Sequence, residues 1–157
     1  MNKFLLFAIF LLVPIVISEE VNDPFEDLNR VTFEFNEKLD ENFLKPIAKT
    51  YSRFPPKIKL GVTNFFNNLE DVETSLNQFL QGKPKKSLND ITRFLINSTI
   101  GLVGFIDVAS KIGLDRHEED FGQTLAVWGV GSGPYIMLPA LGPSTLRDTL
   151  SRPVSSF

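Results

Sequence analysis

Apolar residues in this chain recur every three or four positions, in short bursts broken by proline or glycine. Phe25, Leu28, Thr32, Phe35 and Leu39 follow a 3–4–3–4 spacing, which predicts one stripe of an amphipathic helix. Asp23 is placed to cap that helix, Pro24 suits its first position, and Glu26 and Asp27 favour the positive end of its dipole. At about 100° per residue, Phe33 projects to the side opposite Phe35. Two expectations stay open for it: packing on a second neighbour, or contact with lipid.

Pro46 and the FPP at 54–56 punctuate the next region, because proline ends or kinks a helix and is tolerated in its first turn. Ile58, Val62, Phe65, Phe66, Leu69, Val72, Leu76, Phe79 and Leu80 then continue the helical period, with Asn67 and Asn68 as an expected break and Gly82 and Pro84 as a stop. SLNDITRFLINSTIG reads as a helix capped by Ser87, with Leu88, Ile91, Phe94 and Leu95 inward. Gly101 and Gly104 mark a turn, IDVASKIG is one or two helical turns closed by Gly113, FGQTLAVWG is a short helix capped by Asp120, and PSTLRDTL is a last helix begun by Ser144. Strand-like alternation of useful length is confined to Tyr135–Leu138. The expected class is all-α: short, interrupted, amphipathic helices without a repeat, and not a regular four-helix bundle.

Composition narrows the setting. At 157 residues, 43% hydrophobic and 22% charged, the chain suits one domain and neither a disordered polymer nor a many-times-threaded membrane protein. A net charge of −3 without a basic run argues against nucleic-acid binding. Fifteen Phe against one Trp and two Tyr point to buried or lipid-facing surface, since Phe has no polar tip to satisfy. Lys3 followed by FLLFAIFLLVPIVI and small residues near Ser18 reads as an export signal over residues 1–18. Those fourteen apolar residues would span roughly 21 Å as a helix, short of the ~30 Å hydrocarbon core. The absence of cysteine excludes disulfides, thiol catalysis and an acylated cysteine at the cleavage point.

Catalytic chemistry is hard to place. His117 is the single histidine, no nucleophile-elbow sequence accompanies it, and no phosphate-binding glycine loop or HExxH is present. DRHEED at 115–120 gathers potential ligands, but it has no second His or Cys and acidic residues ahead of a helix also suit the dipole, so a solvated helix start is expected over a metal site. NST at 97–99 fits a glycosylation sequon inside an expected helix.

Several segments together resemble the MlaA (VacJ) family of Gram-negative outer-membrane proteins: DPFEDLNR with FEFNEKLD, LKPIAKTY, GVTNFFNNLEDV, NQFLQGKP, RFLINSTIGLVGFIDVAS and EEDFGQTLAVWGVGSGPYIMLPALGPSTLRD. The resemblance runs from Asp23 to Asp148. It implies a helical, ring-like protein in the inner leaflet of the outer membrane, surrounding an amphipathic channel and associated with a porin trimer. Such proteins take mislocalised phospholipid from the outer leaflet and pass it to a soluble periplasmic carrier of the MlaC type. The same resemblance marks Asp23, Pro24, Asn29 and Arg30 as an N-terminal motif, and Phe33, Asn36, Phe65 and Phe66 as lipid-path or membrane-facing candidates. It also makes Gly129, Gly131, Gly133, Pro134 and Tyr135 a hinge beside the channel, with an ordinary buried connection between two helices as the alternative reading of the stretch. No enzyme activity, cofactor or metal is implied. Exposing two ~16-carbon acyl chains to water costs roughly 25 kcal/mol at ~0.8 per CH₂, so a passive device needs apolar walls for the tails and a polar track for the headgroup.

Two departures qualify the resemblance. Family members are commonly lipoproteins, and this chain has no cysteine to acylate. The family's domain also continues with further helices after TLRD, whereas this chain stops at SRPVSSF, so the expected domain covers residues 19–157 without them. A non-transporting envelope protein bound to porin or membrane is the alternative reading.

Overall fold

The computed structural model describes residues 23–155; the expected export signal lies outside them. The described chain is mostly helical. Helix α1 (Glu26–Leu39) runs through a five-residue π-helical stretch (Asp40–Leu44) into α2 (Lys45–Ser52). Long α3 (Pro56–Leu80) packs along α4 (Pro84–Thr99). A 3₁₀ turn (Ser110–Ile112), α5 (Phe121–Val127), an antiparallel hairpin of β1 (Tyr135–Leu138) and β2 (Gly142–Thr145), and α6 (Leu146–Ser151) complete it.

Prolines set several of these boundaries. Pro56 and Pro84 occupy the first turns of α3 and α4, where the missing N–H costs nothing. Pro46 stands in the first turn of α2, one of the places where proline was expected to be tolerated. It lacks the N–H that would serve the carbonyl four residues back and its ring crowds that carbonyl, and the adjoining turn is widened to the π form. Asp120 caps α5 as expected, its side chain accepting from Gln123 N at 2.6 Å. Gly113 closes the 3₁₀ turn at φ +89°.

Four boundary expectations need correction. Helix α1 starts at Glu26, and Asp23 acts one turn earlier, accepting from Phe25 N at 2.9 Å. Helix α3 continues unbroken through Asn67 and Asn68. Helix α4 begins at Pro84, which leaves Ser87 inside it, bonded to Ser75 at 3.1 Å. The cap of α6 is Thr145 rather than Ser144. The Tyr135–Leu138 alternation does become a strand, and the Gly/Pro segment folds back on it as β2.

The larger correction concerns which faces are buried. Among the described residues Ala109 is the one buried apolar side chain, whereas thirteen polar or charged residues are buried. Thirty-four large apolar residues are exposed, including Leu88 and Leu95, which the spacing placed inward. In water such a distribution forfeits the burial that offsets chain entropy. Against hydrocarbon it is favoured, because there the polar groups are the ones that must find partners inside. Packing of α3 on α4 follows that logic. Small and polar residues meet, Asn68 donating to Ser98 and Ser75 bonding to Ser87, and in the turn after α4 Gly104 (φ +90°) comes so close to Asn68 that a Cβ would lie 2.8 Å from its side chain. No helix among the described residues is long and apolar enough to cross a membrane.

Candidate functional site

The interior is built from two polar stripes. On α3, Asn68, Asp71, Ser75 and Gln78 recur at 3–4 spacing and are buried; on α4, Asp90, Arg93 and Asn97 do the same. Arg93, 1% exposed, is the hub. Its guanidinium lies 3.4 Å from Asp71 and 3.3 Å from Asp107, and donates to Ser110 Oγ at 3.0 Å and to the Leu114 carbonyl. Asn97 accepts from the backbone N–H groups of Val108 and Ala109 and donates to Asp107. A buried side chain with those partners carries no glycan, so the NST sequence is structural.

DRHEED divides: Asp115, Glu118 and Asp120 are exposed, as a solvated helix start would have them, while Arg116, His117 and Glu119 turn towards this interior. Arg116 pairs with Glu70 and Glu118, His117 Nδ1 lies 2.9 Å from Asp90, and Glu119 lies 2.7 Å from Lys83. Only Asp120 acts as the expected cap.

Burial pushes the Asp71 carboxyl up to about 6, with Asp90 and Asp107 adding to the shift and Arg93 and Arg116 opposing it. Asp107 goes the other way. Burial raises it, but hydrogen bonds from the Ser110 side chain and backbone and from Asn97, with the Arg93 charge, hold it down to about 2. The two carboxylates therefore affect stability with opposite sign. Asp71 binds its proton more tightly in the folded state, so its contribution is complete below the unfolded value of 3.8 and is lost as pH rises through about 6. That loss is about 3 kcal/mol at ~1.36 per pH unit. The Asp107 contribution is present above 3.8 and lost as pH falls through about 2. Between pH 4 and 7, wild-type protein should lose thermal stability in detergent relative to Asp71→Asn. Parallel curves for the two proteins would contradict this account.

The predicted site residues fall into two groups. Around α1 and the hairpin, Asn29 and Asn36 serve β1 as a neighbouring strand would. Asn29 Oδ1 accepts from Met137 N at 2.7 Å while its Nδ2 donates to the Tyr135 carbonyl at 3.3 Å and to Asp23 at 2.8 Å. Two turns on, Asn36 Oδ1 accepts from Ala140 N at 2.7 Å and its Nδ2 donates to the Leu138 carbonyl at 2.9 Å. β1 is thus held on one edge by β2 and on the other by two side-chain amides. Asn36, expected along the lipid path, is placed as a clamp. Phe33, Arg30, Asn29 and Tyr135 line a shallow groove beside it, Arg30 pairing with Glu26 on the exposed side. Pro24 lies in the turn before α1.

The loop before the hairpin is anchored to the start of α6. Ser132 and Pro134 carbonyls accept from Arg147 N and Leu146 N, both at 3.0 Å. Gly129 (φ +89°) and Gly133 (φ +70°) need their left-handed backbone, and a Cβ on Gly133 would meet Leu146 at 3.0 Å. Gly131 has neither constraint. Trp128, ahead of them, donates to the Leu80 carbonyl at 3.2 Å.

Phe65 and Phe66 stand elsewhere, on α3. Phe65 is half-buried against Phe105, with ring centroids 5.4 Å apart, and Phe66 is exposed. The sequence did not mark the polar stripes, and it named Asn29 and Asn36 for a motif and a lipid path rather than as clamps on β1. The stripes have a signal, because the polar residues of α3 and α4 also recur at 3–4 spacing. The clamps have none, because their partners are more than 100 positions away.

A family model described as MlaA lipoprotein matches residues 21–157. The chain is 42% identical over 132 residues to the intermembrane phospholipid transport system lipoprotein MlaA of Escherichia coli K12, which covers 81% of this chain and 53% of that protein. It is 40% identical over 139 residues to a protein of Rickettsia typhi, covering 88% of this chain and 55% of the relative. A solved structure from work on the structural basis for maintenance of bacterial outer membrane lipid asymmetry superposes with a TM-score of 0.72 at 41% identity, over 80% of this chain and 66% of that one. The chain spans about half the length of the curated relatives it matches. The E. coli relative is named a lipoprotein, whereas this chain contains no cysteine. Shared sequence at about 40% identity and the match of residues 21–157 to the family model establish that this chain belongs to the MlaA family.

Proposed function

We propose that this chain is part of a pathway that maintains outer-membrane lipid asymmetry, removing phospholipid mislocalised to the outer leaflet. The observation that carries the reading is the inverted polarity, with thirty-four exposed large apolar residues around a buried polar network. Amphipathic helices lying in the plane of a leaflet satisfy both surfaces, with apolar faces on acyl chains and polar groups turned inward. The protein sits in the periplasmic leaflet of the outer membrane beside a porin trimer and delivers lipid to a soluble MlaC-type carrier. A polar track beside apolar walls lowers the cost of moving a headgroup without nucleotide energy. The role we propose is transport, and His117 serves the interior through its 2.9 Å contact with Asp90.

The loop from Gly129 to Pro134, ahead of the clamped hairpin, is the moving part of this mechanism, and Gly131 is where its freedom is tested. Ala is sterically free there, unlike at Gly129 or Gly133. Gly131→Ala narrows the backbone without a clash, so it should change phospholipid flux to the carrier by several-fold while stability stays within about 1 kcal/mol. Unchanged flux would leave the segment as packing. Deletion of the gene should raise outer-leaflet phospholipid; a normal outer leaflet after deletion would assign the protein a structural envelope role instead.

A further inference from the structure

Charge is unevenly distributed along this chain. The 28 residues from 42 to 69 carry five basic side chains and no acid, although the whole protein has 16 basic and 19 acidic residues. The basic positions are spaced rather than consecutive: Lys45, Lys49, Arg53 and Lys57 each stand four apart, with Lys59 beyond. Lys45 and Lys49 share one face of α2 and Arg53 caps it, while Lys57 stands in the first turn of α3, beyond the bend at Phe54 and Pro55. Ile47 and Tyr51 form an apolar stripe roughly opposite Lys45 and Lys49 at about 100° per residue, with Leu44 just before α2 and Phe54 just after it.

Neither face is covered. No residue of the π-helical stretch or of α2 is buried, and α2 packs chiefly against the π-helical stretch that leads into it. Lys45 is engaged by Asp40 at 3.1 Å, but Lys49, Arg53 and Lys57 form no ion pair among the described residues. Glu37, Asp40 and Glu41 precede the arm and act on Lys45, and a second acidic group, Glu70, Glu73, Glu118, Glu119, Asp120 and Asp148, lines a cleft at the far part of α3. From Lys57 to Glu73 along that helix is roughly 24 Å at 1.5 Å per residue, beyond a Debye length at physiological salt. The molecule therefore has a basic, apolar-backed arm at one end and an acidic cleft at the other.

We infer that this arm docks on an anionic lipid surface. Leu44, Ile47, Tyr51 and Phe54 enter the acyl boundary, while Lys49, Arg53 and Lys57 meet the phosphates of acidic headgroups. Charge complementarity favours this occupant, because an apolar stripe backed by unpaired cations is the surface an interfacial helix presents to acidic phospholipid. Placement of the acidic cleft away from the same surface avoids repulsion from those headgroups. The inference rests on the membrane location proposed above and adds the headgroup charge to it.

The test is flotation of the full chain, transferred from detergent, with phosphatidylcholine vesicles containing either no acidic lipid or roughly one-third phosphatidylglycerol. Wild-type protein should partition more strongly onto the anionic vesicles, and raised salt should remove the difference. Lys49→Gln/Arg53→Gln/Lys57→Gln changes only exposed, unpaired side chains, so the fold should persist by circular dichroism. On anionic vesicles its partition should fall by about 100-fold, as three basic groups near an acidic surface imply, with no change on neutral ones. Equal partition of wild-type protein onto both vesicles, or a triple variant that keeps the preference, overturns the inference and assigns the basic face to a protein partner. Binding to neither vesicle would overturn the membrane location as well, which separates the two failures.

Discussion

Arg93→Ala should cost this protein about 3–5 kcal/mol, the magnitude expected when one partner is removed from a buried ion pair. The reason is geometric. Asp71 is 1% exposed and Asp107 is partly buried, and both face the same guanidinium. Removing the arginine leaves Asp107, the Ser110 hydroxyl and the Leu114 carbonyl without their common donor, and Asp71 without the opposite charge 3.4 Å away. Against a total stability of 5–15 kcal/mol for a typical domain, the loss should lower the midpoint of thermal unfolding in detergent by roughly 10 °C. Lysine should restore little, because one ammonium cannot reproduce a planar fork that donates to Ser110, Leu114 and Asp107 while facing Asp71. An Asp71→Asn/Arg93→Met pair should lose less than Arg93→Met alone, since the uncompensated charge then disappears. If Arg93→Ala melts within a degree of wild type, the polar network does not hold α3, α4 and the 107–114 segment together.

Phe33→Ser/Phe66→Ser/Phe79→Ser should have the opposite profile, with little change in folding and a large loss of membrane affinity. The three rings are 55%, 56% and 65% exposed, on α1 and α3. In a protein with an apolar core, truncating three phenylalanines would cost several kcal/mol each through cavities. Here the rings face outward, so their removal leaves no cavity. What is lost is transfer of aromatic surface into hydrocarbon, about 1–2 kcal/mol per half-exposed ring, or at least 100-fold in vesicle partition for the three together. Circular dichroism and flotation measure the two effects separately. A variant that unfolds in detergent while still floating with vesicles would show that these faces pack against protein.

Both results turn on which side of each helix is inside, and periodicity does not contain that information. The spacing of α4 separates Leu88, Ile91 and Leu95 from Asp90, Arg93 and Asn97 correctly. It leaves open which set meets the surroundings, because an amphipathic helix has the same two faces in water and in lipid. Assuming water made Leu88 and Leu95 core residues and Asn68 a helix break. Asn68 instead donates to Ser98 at 2.8 Å and lies against Gly104. The family resemblance supplied the lipid setting that the spacing lacked, yet no local pattern linked Asn29 and Asn36 to a strand a hundred residues later.

Sequence alone determined the mostly helical class, the family, the Asp120 cap and the Gly113 turn. The family rests on the order of segments along the whole chain, whereas the helices, cap and turn depend on neighbours within one or two turns, where capping, proline and glycine geometry act directly on the backbone. Tertiary structure alone decided that the polar stripes are the core, that Arg116, His117 and Glu119 of DRHEED close onto α3 and α4, and that two asparagine amides hold the Gly/Pro hairpin against α1. Those outcomes require unsatisfied hydrogen-bonding groups to find partners across the fold, and the partners exist only once the chain has brought distant segments together.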